Sequence, residues 1–106
     1  MGLRRILVAN ELTSYRQSIA IVIGELHPNV EVLEVHPETL DREVARVGPD
    51  LVICSRVTTV VEERVANWIE LYPECSPFSA FCIDGERSAM EDVQLSDLLW
   101  ACARVL

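Results

Sequence analysis

The chain has no lysine. All nine basic residues are arginines, set against seventeen acids for a net charge of -8 over 106 residues. A surface of that sign repels phosphate backbones and argues against nucleic acid as a partner. Long hydrophobic runs are also missing: none approaches the roughly 20 residues that cross a bilayer, so no membrane partner is expected. The start, Met1 to Arg5, leads into a short apolar run with no small-residue cleavage site, and secretion is not indicated. Cys54, Cys75, Cys82 and Cys102 are scattered, with no Cys-x-x-Cys pair and no histidine at ligand spacing. That pattern gives neither a zinc site nor a disulfide framework and agrees with a reducing, cytoplasmic setting. Phosphate-cradling glycine motifs are absent, and Asn10 to Ser14 holds no glycine, so no nucleotide or flavin cofactor is expected.

What the chain does have is apolar surface. Half of it is hydrophobic, a quarter is charged and the mean hydropathy is +0.22. That is enough to offset chain entropy, and the length suits one domain over residues 1–106.

Ile6 to Ala9 is a continuous apolar run, the pattern of a strand buried on both faces. Leu12, Tyr15, Ile19, Val22, Ile23 and Leu26 then share a helical stripe, with Ser14 and Gln17 spaced for a capping box. Val30 to Val35 reads as a second strand. His36-Pro37-Glu38 opens a helix carrying Leu40, Val44 and Val47, and Gly48-Pro49 stops it. Asp50 to Cys54 is a third strand. Thr59 and Glu62 can cap a third helix with a stripe of Val61, Val65, Trp68, Ile69 and Tyr72. Residues 73–77 form a loop, Phe78 to Ile83 a fourth strand, and Leu95 to Leu106 a last helix. Asp84 to Gln94 reads as a short fifth strand around Ser88–Met90, with a hairpin turn at Asp84-Gly85 as the alternative. Strands alternating with helices imply a parallel sheet with helices on both faces.

The segments "RILVANELTSYR", "LHPNVEVLEV" and "GPDLVICSR", with the tail "VQLSDLLWACARVL", resemble the receiver domain of bacterial response regulators. The resemblance implies an α/β flavodoxin-like three-layer sandwich, its parallel sheet of four to five strands ordered 2-1-3-4-5. It also implies a signalling role. Receivers hold magnesium between two acids after the first strand and a phospho-acceptor Asp after the third. A hydroxyl residue after the fourth strand and a lysine after the fifth complete the site. Carried over, these positions fall on Asn10, Glu11, Ser55 and the vicinity of Cys82; the lysine has no counterpart. Glu11 beside an amide and a hydroxyl is a poor magnesium cage, and Ser55 cannot form an acylphosphate. The expectation is a degenerate, non-enzymatic pseudo-receiver, without metal or cofactor, acting through a protein partner.

Two other readings compete. The strand-end edge, with Asn10, Glu11, Ser55, Arg56, Cys82 and Asp84, could sense a small ligand or anion through Arg56, or be a vestige in which Arg56 pairs with Glu11 or Asp84. Cys82 to Ser88 approaches the cysteine-phosphatase loop but is one residue short and carries Asp84 and Glu86, which repel phosphate. On the helices, Ile21 and Trp100 point away from their stripes. With Arg104 at the rim they suggest an exposed patch and a homodimer through the first and last helices.

Overall fold

The structure, a computed structural model, describes residues 4–73 and 76–106. In chain order the elements are β1 (Arg4–Ala9), α1 (Thr13–Leu26), β2 (Val30–Glu34), a 3-10 turn (Pro37–Thr39) leading into α2 (Leu40–Val47), β3 (Leu51–Cys54), α3 (Thr59–Arg64), β4 (Trp68–Glu70), β5 (Phe78–Ile83), β6 (Glu86–Glu91) and α4 (Leu95–Val105). The strands form one sheet in the order β2-β1-β3-β4-β5-β6.

Strand alternation divides the core between the two faces of the sheet. Ile6, Val8, Leu51, Ile53, Ile69, Phe81 and Ile83 point to one side, where Ile19 and Ile23 of α1 and Leu98, Ala101, Cys102 and Val105 of α4 cover them. Leu7, Ala9, Val52, Cys54, Trp68 and Cys82 point to the other, under Leu40 and Val44 of α2 and Val61 of α3. β1 and β3 are therefore covered on both sides, which is why their sequences read as unbroken apolar runs. The helix on one side of the sheet is extended at its ends by exposed apolar residues. Of the α1 stripe, Leu12, Tyr15 and Leu26 are exposed, and only its middle is in the core.

Three local expectations are corrected. The third helix does not run through Trp68 to Tyr72: α3 ends at Arg64, Val65 is already extended, and Trp68–Glu70 is a strand paired parallel to β3. Trp68 and Ile69 face opposite sides of the sheet, the signature of period two instead of 3.6. Asn67 fixes this change of direction, since its Nδ2 donates to Asp50 O (3.1 Å) and its backbone carbonyl accepts from Val52 N (3.2 Å). The cap of α3 is Thr58, one residue earlier than expected, with its hydroxyl accepting from Val61 N at 3.2 Å. At α1 no side chain caps the helix; the capping box is at α4, between Gln94 and Asp97.

The larger correction concerns the sheet. Only β2, β1, β3 and β4 are mutually parallel; β5 runs antiparallel to β4, and β6 antiparallel to β5. The sheet is mixed and six-stranded, not a parallel sheet of four to five strands. Among the described residues no α-helix follows β4: the chain turns at Tyr72 (φ 48), and β5 begins at Phe78. Asp84 (φ 53) and Gly85 (φ 82) then make the two-residue turn that joins β5 to β6. Both positive φ values fit a type I′ hairpin, whose twist matches that of the strands it links. The Asp84-Gly85 hairpin alternative is the one the chain adopts, and the strand around Ser88–Met90 is longer than expected.

Gly48, at φ 63, closes α2 with its N–H on Val44 O (3.0 Å), and His36 caps the 3-10 turn by accepting from Glu38 N at 3.3 Å. Met1 to Leu3, Glu74 and Cys75 lie outside the described residues, and with them the expectation for Cys75. Among the described residues no helix is long and apolar enough to cross a membrane.

Candidate functional site

In a sheet wound this way, successive connections leave on opposite faces and open a crevice at the carboxyl ends of the strands. Here α1 leaves β1 on one face while α3 leaves β3 on the other. At this edge, between the start of α1 and the β4–β5 connection, is a cavity of about 430 Å³ lined by Asn10, Glu11, Leu12, Tyr15, Ser55, Leu71, Tyr72, Ser76, Pro77 and Asp92. Three of the residues placed here from the sequence, Asn10, Glu11 and Ser55, are brought together. Arg56 lines a separate hollow of about 200 Å³ on the α2 side, with Glu11, Glu38, Ser55 and Thr58.

Cys82 is not part of this edge. Because β5 runs antiparallel, its end lies where β4 begins: Cys82 pairs with Trp68, and its thiol donates to Ala66 O at 3.8 Å. Asp84 travels with it to the far end of the sheet, where its N–H donates to Asn67 Oδ1 (2.8 Å) and its carboxylate lies 3.9 Å from Arg104. The β5 residue that does reach the crevice end is Ser79. It is fully buried, and its Oγ accepts from Tyr72 N at 2.9 Å, holding the turn that lines the cavity.

Backbone and side chain stitch the crevice walls together. Glu11 N donates to Ser55 Oγ (2.9 Å), linking the loops after β1 and β3. Arg16 Nη1 donates to Asn10 O (2.9 Å), and Val57 N donates to Glu70 Oε2 (2.8 Å). Tyr72 donates its hydroxyl to Val93 O, and its ring lies 6.5 Å from that of Tyr15. Burial raises the Tyr72 phenol above its ordinary value, with Tyr15, Asp92 and Asp97 adding to the shift. At the end of β3 the Cys54 thiol is pushed up to about 12, mainly by burial and then by the Glu70 carboxylate, so it stays a neutral thiol.

One group in the crevice is unsatisfied. Asn10 is only 3% exposed, and its Oδ1 is buried with no hydrogen-bond donor. A buried acceptor left unpaired costs about 1–3 kcal/mol, so such an atom marks either a strain or a place for a donor from outside the chain. Around it the wall supplies acceptors, the carboxylates of Glu11 and Asp92, in place of cations. Among the described residues lining the two hollows there is no histidine or cysteine. No cluster of three or more metal-capable side chains occurs among the described residues either.

Sequence reasoning missed Tyr72, Ser76, Asp92 and Glu70 as parts of this edge. Tyr72 and Glu70 were hidden by the helical reading of residues 61–72. Asp92 was hidden because its position follows from a hairpin that the sequence reading favoured less.

The helix patch divides similarly. Ile21 and Trp100 are both exposed, at 58% each. Arg104 lies 5.0 Å from the Trp100 ring and reaches Asp84. α1 lies over β1 and β2, however, and α4 over β5. The hollow between the two helices, about 360 Å³, is lined by Tyr15, Ile19, Val22, Leu95 and Leu98 among others, and by neither Ile21 nor Trp100.

Comparison with protein-family models, curated proteins and solved structures returns no match for this chain.

Proposed function

We propose that the protein is a receiver-like domain that takes up no phosphoryl group and acts by contact with a protein partner. The observation that carries this reading is Ser55. It stands where a receiver has its acceptor carboxylate, and its oxygen accepts the Glu11 backbone N–H, so it serves to hold two loops together. A hydroxyl there forms no acylphosphate, and the two positions that would carry acids beside Glu11 in a receiver hold the amide of Asn10 and the hydroxyl of Ser55. The antiparallel β5 also carries Cys82 and Asp84 away from the edge, and Ser79, which it brings there instead, spends its Oγ on accepting the Tyr72 N–H. Incubation with acetyl phosphate and magnesium, followed by intact mass measurement, should leave the mass unchanged. A phosphorylated species that Ser55→Ala abolishes would overturn the reading.

The unpartnered Asn10 Oδ1 favours a second reading, in which the same crevice senses a small ligand. The acceptors at Asn10, Glu11 and Asp92 suit a molecule that brings hydrogen-bond donors, and they disfavour an anion. Under this reading Asn10→Leu removes binding while leaving the free protein at least as stable as the parent, within about 1 kcal/mol. A ligand-observed NMR screen of small amines and polyols, run on both proteins, tests it. Hits that bind both equally would remove Asn10 from the site.

A further inference from the structure

The antiparallel hairpin leaves a feature that neither reading uses. All six residues of β6 are exposed, and among the described residues its only neighbour in the sheet is β5. An open strand edge is a template for another strand, and proteins usually blunt it with proline, a bulge or charged side chains. β6 contains no proline, and its register with β5 runs unbroken from Ile83↔Glu86 to Phe78↔Glu91. Its charges are of both signs: Glu86, Arg87 and Glu91.

The turn determines which backbone groups are free. A two-residue type I′ hairpin closes on a pair that exchanges both hydrogen bonds, here Ile83 and Glu86. Bonded and non-bonded pairs then alternate, so Ser88 and Met90 spend their backbone groups on β5. Arg87, Ala89 and Glu91 are left with N–H and C=O facing outward. Asp92, at φ 51, turns the chain off the strand, so the free edge ends at Glu91.

We infer that this edge pairs with the same edge of a second copy, antiparallel and two-fold, giving a continuous sheet across the dimer. One register satisfies all three outward residues at once. It sets Ala89 on the axis against the partner's Ala89, and Arg87 against the partner's Glu91. In that register each facing pair exchanges both backbone bonds, and the facing side chains lie close on one face. Opposite charges therefore meet twice, with the small alanine pair between them on the axis. A shift of two residues leaves one outward residue unpaired and sets Arg87 against alanine. Arg87 is already held on that face, 5.6 Å from the Trp68 ring and 3.5 Å from Glu62. The self-association surface thus lies on the hairpin edge, apart from Ile21 and Trp100, and does not depend on what the crevice holds.

Sedimentation velocity of the full chain over a range of concentrations tests the inference. The parent should pass from monomer to dimer, with the weak, concentration-dependent behaviour of a small interface. Ala89→Pro removes an outward N–H and no bond to β5, a position where an edge strand accepts proline. It should be monomeric with unchanged circular dichroism. Glu91→Arg should weaken the dimer by about tenfold or more, roughly 1.4 kcal/mol. The exchanged pair Arg87→Glu with Glu91→Arg should recover most of that loss; this arm stands even if the proline variant folds poorly. The inference is overturned by a parent that stays monomeric up to millimolar concentration. It is equally overturned by a dimer that survives Ala89→Pro and Glu91→Arg, or by one that only Ile21→Glu or Trp100→Glu dissociates.

Discussion

The two halves of the sheet are built on different rules. From β2 through β4 each strand is parallel to its neighbours, and β1 and β3 are sealed on both faces by helices. Past β4 the strands reverse and the covering thins: β5 still lies under α4, while β6 has no buried residue. In the first half stability comes from apolar side chains removed from water. In the second, burial belongs to β5 alone, through Phe81, Cys82 and Ile83, and β6 rests on turn geometry and backbone pairing.

The strongest way to break this contrast is to truncate each half in turn. Ile53→Ala, in the sealed part, should cost about 2–5 kcal/mol of unfolding free energy in urea. Ser88→Ala in β6 should stay within about 0.5 kcal/mol. Comparable losses at the two sites would mean that the hairpin is as firmly packed as the rest.

Alkali probes the sealed half without a substitution. The raised thiol of Cys54 is protonated in the fold, while an unfolded thiol ionises near its ordinary value of 9.0. The stability it contributes is therefore whole below pH 9 and is lost as pH climbs toward about 12. The loss amounts to about 1.4 kcal/mol for each pH unit in that window. The Cys102 thiol, pushed up by burial to about 11, acts in the same direction over a narrower range. Urea titrations at several alkaline pH values should show the decline, and Cys54→Ala should flatten it.

Smaller effects separate local devices. Thr58→Ala removes the α3 cap and should cost about 1 kcal/mol, read as a lower urea midpoint. Gly85→Ala meets no neighbour, but it forces a Cβ onto φ 82 and should cost a similar amount. Hydrogen exchange distinguishes the two: the glycine change should speed exchange in β5 and β6 before it does so in β1 or β3.

The sealed half was legible because its physics is written in runs and stops. Ile6–Ala9 and Leu51–Cys54 are continuous apolar stretches, and Gly48-Pro49 ends a helix in the left-handed conformation that glycine tolerates. The hairpin half was not legible to the same degree. Val61, Val65, Trp68 and Ile69 satisfy a helical period as well as a strand following a short helix. What decides between them is Asn67, which anchors the chain to a strand distant in sequence. Tyr72, in the connection from β4 to the reversed β5, adopts a positive φ, a conformation that a tyrosine does not advertise. For the same reason Asn10, Glu11 and Ser55 could be placed together from the order of the parallel strands, and Cys82 could not.

Asn67 also binds the two halves to each other. Its amide nitrogen reaches Asp50 at the start of β3, and its oxygen takes the Asp84 N–H at the hairpin tip. One side chain thus works as a hasp between the helix-covered body and the hairpin arm. Severing it with Asn67→Ala should set the arm loose, and a probe on residue 84 would register that freedom while the body beneath keeps its shape.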